Sequence, residues 1–141
     1  MIQLYMLCLA VRATNNMTSR IRVHTEEVCS LKWSSRGNIL ATGGNENLIY
    51  IWESSKMSSS NFLHRFNEHS AAVKSLAWCP YQSDVLASGG GTNDGCIKIW
   101  NTQHGNCISS IDTKAQVGSI VSMLYFYFLF FIYLFFFRIS I

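Results

Sequence analysis

Val85-Leu86-Ala87-Ser88-Gly89-Gly90-Gly91-Thr92-Asn93-Asp94-Gly95-Cys96-Ile97-Lys98-Ile99-Trp100 is the stretch that decides the fold. An apolar start, a glycine-rich turn carrying Asp94, and an alternating segment closed by Trp100 spell strand, tight turn, strand. A near copy stands upstream: Ile39-Leu40-Ala41-Thr42-Gly43-Gly44-Asn45-Glu46-Asn47-Leu48-Ile49-Tyr50-Ile51-Trp52. Two copies of one strand pair imply a repeat, and a repeat governs how every neighbouring segment is read.

The flanks repeat as well. Val28–Trp33 reads as a strand, with Val28, Ser30 and Lys32 on one face and Cys29, Leu31 and Trp33 on the other. Ser34–Asn38 is a turn built on Gly37, Ile39–Thr42 a strand, Gly43–Asn47 a turn and Leu48–Trp52 a third, alternating strand. Glu53–Asn61 is serine-rich and loop-like, and Phe62–Phe66 is a fourth strand. The cycle then restarts with strands at Val73–Trp78, Val85–Ser88, Cys96–Trp100 and Cys107–Ile111. His69 follows His24 by 45 residues, Trp78 follows Trp33 by 45, and Trp100 follows Trp52 by 48 because the second copy has longer turns. Four strands in a period of that length, with a His near the start and a Trp at the end, are the signature of a WD40 β-propeller blade. The expected fold is all-β: a partial WD40 β-propeller of about two four-stranded antiparallel blades, with an apolar C-terminal segment that is a candidate helix. The expected division is 1–23 a poorly defined N-terminal segment, 24–68 and 69–118 one blade each, and 119–141 an apolar tail.

In such repeats one His, one Ser or Thr, one Asp and one Trp form a hydrogen-bonded relay that ties turns to strands. The second copy supplies His69, Ser88, Asp94 and Trp100, and the first supplies His24, Thr42, Glu46 and Trp52. Glu46 is the departure. Its extra methylene pushes the carboxylate out of register with the turn amides, at a cost on the order of 1 kcal/mol. A Ser-His-Asp set also invites comparison with a hydrolase triad. Here the set recurs at blade spacing, once with Thr and Glu, and a structural relay is the better reading; no constellation supports an enzyme.

Composition narrows the function classes. The net charge is +3 and the 11 basic residues are scattered without a run, so nothing points to nucleic acid. The five cysteines (Cys8, Cys29, Cys79, Cys96, Cys107) include no Cys-x-x-Cys pair. Their odd number suits reduced thiols and an intracellular chain. Cys29, Cys79, Cys96 and Cys107 fall at strand positions, where Cys acts as a small apolar filler, so neither metal nor cofactor is expected. Met1–Val11 is apolar but short and lacks the basic start of a secretory signal. Ser19–Val23 reads as a short edge strand, and the Asn16-Met17-Thr18 sequon carries no weight in a chain that is not secreted.

The second copy says more than its period does. Glu68-His69-Ser70-Ala71-Ala72-Val73-Lys74-Ser75-Leu76-Ala77-Trp78-Cys79-Pro80-Tyr81-Gln82 leads into Leu86-Ala87-Ser88-Gly89-Gly90-Gly91-Thr92, and the first copy has His24-Thr25-Glu26-Glu27-Val28-Cys29-Ser30-Leu31-Lys32-Trp33. These strings resemble the fizzy family, the WD40 co-activators of the anaphase-promoting complex (cyclosome), over about His24–Val117. Phe62-Leu63-His64-Arg65-Phe66 is similar to the mitotic branch of that family in plants. The resemblance implies a substrate-recruiting adaptor and activator of a ubiquitin ligase in the nucleus and cytoplasm; the alternatives are a generic WD40 protein-interaction scaffold and a non-functional fragment anchored to a membrane through the apolar tail. The implied partners are anaphase-promoting complex subunits and degron-bearing substrates such as cyclins. It also implies that a KEN-box degron is held on the propeller's top face by Asn45, Thr92 and Gln116. Amide and hydroxyl groups there can pair with a peptide's Asn, Glu or backbone. The sequence departs from the family at Val23, where Gly is usual, and at Gly95, where Arg is usual. Two blades of the family's seven are legible, and the expectation is a truncated member.

The resemblance stops after Val117. Ile120–Phe137 is apolar throughout except for Ser122 and the tyrosine hydroxyls, and seven of the nine phenylalanines lie between Phe126 and Phe137, a length that meets the transmembrane criterion. It contains no Gly or Ala, and Phe, Tyr, Leu and Ile are largely what thymine-rich codons encode. The expectation is translated intron or frameshifted sequence, with a true membrane span and a buried strand as the alternatives.

Overall fold

The structure, a computed structural model, describes residues 6–9, 17–59 and 61–117. The 120–137 stretch lies outside the described residues, and among those described no helix is long and apolar enough to cross a membrane.

Among the described residues, ten strands make three antiparallel sheets. β1 (Met6–Leu9) pairs with β2 (Met17–Ile21) in a two-stranded sheet. The sequence places a strand at Ser19–Val23; the strand sits two residues earlier, and its partner β1 is not anticipated at all. β3 (Val28–Trp33), β4 (Ile39–Gly44), β5 (Ile49–Glu53) and β6 (His64–Phe66) follow one another across the second sheet in chain order. β7 (Val73–Trp78), β8 (Val85–Gly90), β9 (Cys96–Asn101) and β10 (Asn106–Asp112) do the same in the third. Within the serine-rich segment between β5 and β6, a 3-10 turn spans Ser54–Ser59 where a plain loop is expected, and Met57 within it is buried.

The turns follow local chemistry. Gly37, Gly95 and Gly105 take left-handed conformations, and Asn47 does so at the place in the first repeat that Gly95 holds in the second. The two sheets stack through Ala41, Ile49, Ile51 and Phe66 of the first and Val73, Leu76, Leu86 and Trp100 of the second. Phe66 lies flat on Trp100, with centroids 4.4 Å apart and planes 10° from parallel. Trp78 donates its indole N–H across the interface to the Lys32 carbonyl at 2.9 Å.

Two expectations about side-chain direction are overturned. The strict alternation expected of β3 fails because a bulge interrupts its pairing with β4 between Val28 and Ser30, leaving Cys29 as the extra residue. Leu31, Lys32 and Trp33 are all exposed. The second repeat places the matching Leu76 in the interface with the first, so exposure at Leu31 reflects the absence of a preceding blade face among the described residues. β5 does not alternate either: Ile49, Tyr50, Ile51 and Trp52 are all buried, because this strand packs on both faces. Ile49 and Ile51 serve the inter-sheet core, while Tyr50 and Trp52 join Leu40 and Met57 in a second cluster.

Candidate functional site

The relay residues converge in both sheets, through β4 and β5 in the first and β8 and β9 in the second. In the second, the Trp100 indole N–H donates to Ser88 Oγ at 2.7 Å, Ser88 lies 2.6 Å from His69 Nε2, and His69 Nδ1 lies 2.8 Å from Asp94 Oδ2. The Asp94 carboxylate can only accept, so the proton of the neutral ring sits on Nδ1, and Nε2 accepts from the Ser88 hydroxyl while Ser88 Oγ accepts from the indole. Burial lowers the His69 pKa, and the Asp94 carboxylate offsets this only in part, so the ring is neutral at pH 7. Asp94 is surrounded by donors. Oδ1 accepts from the Ser70 N–H at 2.8 Å and the Ser70 hydroxyl at 3.0 Å, and Oδ2 also accepts from the Cys96 N–H at 3.1 Å. Burial alone would raise this carboxyl; the hydrogen bonds from Ser70 and His69 win and lower it to about 2.

The first sheet repeats the order with one defect. Trp52 donates to Thr42 Oγ1 at 3.0 Å, Thr42 lies 2.8 Å from His24 Nε2, and His24 Nδ1 meets Glu46 Oε1. Glu46 Oε2 is buried without any hydrogen-bond partner. The longer side chain reaches the histidine but leaves its second oxygen short of the turn donors that Asp94 uses. These eight side chains are enclosed, and their hydrogen bonds hold the turns in place.

What the relays position is the row of turns above them. Asn45 and Gly91 occupy matching places: the Asn45 N–H donates to the Glu27 carbonyl and the Gly91 N–H to the Ala72 carbonyl, both at 2.8 Å. Asn45, Thr92 and Gln116 are all exposed. The Thr92 hydroxyl donates to Gln116 Oε1 at 2.9 Å, joining residues 24 apart in the chain. Val117, next to Gln116, packs over Gly89 as Val73 packs over Gly43. The chain at Val117 therefore runs where the first strand of a following blade would begin. Asn45 is not joined to the Thr92–Gln116 pair. Its Oδ1 instead lies 3.9 Å from the Cys29 Sγ, and Cys29 in turn lies 3.8 Å from Lys74 Nζ. Cys29 is thus no apolar filler: the bulge turns it toward the surface. Lys74 is its counterpart, the extra residue where the β7–β8 pairing slips between Val73 and Ser75. Sequence reasoning missed both, since nothing in a strand-like string marks which residue bulges.

Two adjacent four-stranded sheets, each with a His–Ser/Thr–Trp relay closed by a carboxylate, define a pair of β-propeller blades. The profile of the WD domain, G-beta repeat matches residues 15–53 and 60–101, more than half of the chain, and the chain belongs to this family. Its repeats are of the Cdc20/Fizzy type. They are 51% identical over 114 residues to "Cell division cycle 20.4, cofactor of APC complex" of Arabidopsis thaliana, covering 79% of this chain and 26% of that one. They are 49% identical over 113 residues to "Anaphase-promoting complex subunit cdc20" of Dictyostelium discoideum, covering 78% and 22%. A chain in the crystal structure of a mitotic checkpoint complex superposes with a TM-score of 0.70 at 42% identity, covering 75% of this chain and 32% of that one. The chain thus spans about a quarter of the length of the curated relatives it matches.

Proposed function

We propose that this chain is a substrate-recruiting part of an adaptor and activator of the anaphase-promoting complex ubiquitin ligase in cell-cycle control, reading degron peptides on its exposed turns. The relatives' names carry the cofactor role. The peptide reading rests on one observation: Thr92 and Gln116, remote in sequence, share a hydrogen bond at the exposed ends of their turns, with Asn45 on the matching turn of the neighbouring blade. A hydroxyl and two primary amides offer both donors and acceptors, which suits the Asn and the main chain of a KEN-type peptide. On this reading the partners are subunits of the complex and degron-bearing substrates such as cyclins, the chain works in the nucleus and cytoplasm, and it acts by holding a substrate rather than by chemistry of its own. The relays support this indirectly, since buried, hydrogen-bonded supports keep a recognition surface pre-shaped.

The test is binding of a fluorescent KEN-box peptide to the full chain by polarisation, with an Ala-Ala-Ala peptide as the control. Asn45→Ala, Thr92→Ala and Gln116→Ala should each weaken binding by roughly 3- to 10-fold, the loss of one hydrogen bond. Equal affinity for the two peptides, or indifference to all three substitutions, would refute it.

A further inference from the structure

We infer that Lys74 is a specificity residue of the same surface, the cation that reads an acidic side chain of the bound peptide. The inference rests on the peptide-binding reading above and adds a residue that neither the repeat pattern nor the relay contains. Three features carry it. The first is direction. β-bulges re-aim a side chain at the end of a strand, and Lys74 is the extra residue of β7, as Cys29 is of β3. The two occupy matching places 45 residues apart, and their side chains meet across the blade interface at 3.8 Å. The second is position. Cys29 lies between Lys74 and Asn45, within 3.9 Å of the Asn45 Oδ1. The ammonium group therefore stands one side chain away from a proposed peptide contact.

The third is chemistry. An ammonium group has three donors. Among the described residues Lys56 pairs with Glu53, Lys114 with Asp112, Lys98 is buried and donates to Ser110 at 2.9 Å, and the exposed Lys32 stands opposite Ala41, away from the β3 bulge. Lys74 has only the thiol of Cys29, a weak acceptor, and no carboxylate among the described residues pairs with it. It is exposed, so its folded position costs little, and its donors remain available to an incoming carboxylate. Thr92, Gln116 and Asn45 are all neutral. Lys74 is the cation that reaches this part of the surface, next to the exposed Glu27 whose carbonyl accepts the Asn45 N–H, and a charge-assisted bond to it distinguishes Glu from its isosteric amide.

Two peptides and four proteins test this. Affinities of the full chain for a KEN peptide and for the Lys-Gln-Asn variant are compared in the parent, Lys74→Glu, Lys74→Arg and Thr92→Ala. The parent should prefer the Glu peptide by about tenfold at low salt, and the preference should shrink as salt rises. Lys74→Glu should abolish or invert the preference, Lys74→Arg should keep it, and Thr92→Ala should weaken both peptides alike. Circular dichroism melts matching the parent would show that the exposed substitution leaves the fold intact. A parent that binds the Glu peptide and keeps its preference in Lys74→Glu would overturn the assignment of Lys74 while leaving the peptide reading standing. Failure of the parent to bind either peptide would overturn both.

Discussion

Glu46→Asp makes the first relay chemically identical to the second at its carboxylate, and the structure says what should follow. In the second relay Asp94 receives the Ser70 N–H, the Ser70 hydroxyl and the Cys96 N–H besides His69. The matching groups in the first are Thr25 and the Leu48 N–H, and Glu46 engages neither, leaving Oε2 buried and unpartnered. A buried acceptor without a donor costs about 1–3 kcal/mol. Removing a buried methylene gives back about 0.8 kcal/mol of that gain. The net expectation for Glu46→Asp is stabilisation by about 1 kcal/mol. The reverse change, Asp94→Glu, should destabilise by about 1–3 kcal/mol, because it strands an oxygen that now accepts from Ser70. Urea titration of the full chain, followed by tryptophan fluorescence, reads both as shifts of midpoint at constant slope. Thr25→Ala, neutral in the parent, should remove part of the gain in the Glu46→Asp background. A destabilised Glu46→Asp alongside a tolerated Asp94→Glu would refute the argument that side-chain length sets the relay's satisfaction.

Acid should weaken the fold in two stages of the same sign. The His69 pKa is lowered from 6.5 in the folded chain, so the unfolded chain takes up the proton first and stability falls as pH drops through that range. Asp94 is lowered from 3.8 to about 2, which supplies roughly 2 kcal/mol above pH 4 that is lost as pH falls further. Denaturation midpoints measured from pH 8 to pH 2 should show both stages, and Asp94→Asn should shrink the lower one, to which Glu53 and Asp112 also contribute in the same direction. Gly43→Ala should cost about 1–3 kcal/mol, since its Cβ would lie 2.6 Å from Cγ1 of buried, β-branched Val73; a thermal melt unchanged by it would contradict this close packing of Val73 on Gly43.

The strands were legible because their signals are local. Val28–Trp33 and Val73–Trp78 fall where hydrophobic run and turn residues put them, and β8 and β9 extend the expected segments only by a residue or two. The relay was legible for a different reason: its members recur at blade spacing, and the recurrence separates them from chance His and Trp residues. Even the weakness at Glu46 followed from side-chain length, and the unpartnered Oε2 is its structural form. The proposed peptide surface was legible only as single residues. Asn45, Thr92 and Gln116 carry no mark in the sequence of which of them touch.

The all-β repeat, the four strands of each blade and the residues of each relay follow from the chain's own order of residues, because all of these depend on neighbours within one repeat. Tertiary structure alone decided which faces are covered. The same repeat position is buried as Leu76 and exposed as Leu31, since burial belongs to the pair of blades and not to the strand. It also decided that Cys29 and Lys74 leave the pleat and meet, because a bulge is a mismatch between two strands and neither strand encodes it alone. The surface that the peptide reading invokes is assembled by those two events, the stacking of the blades and the slip in register.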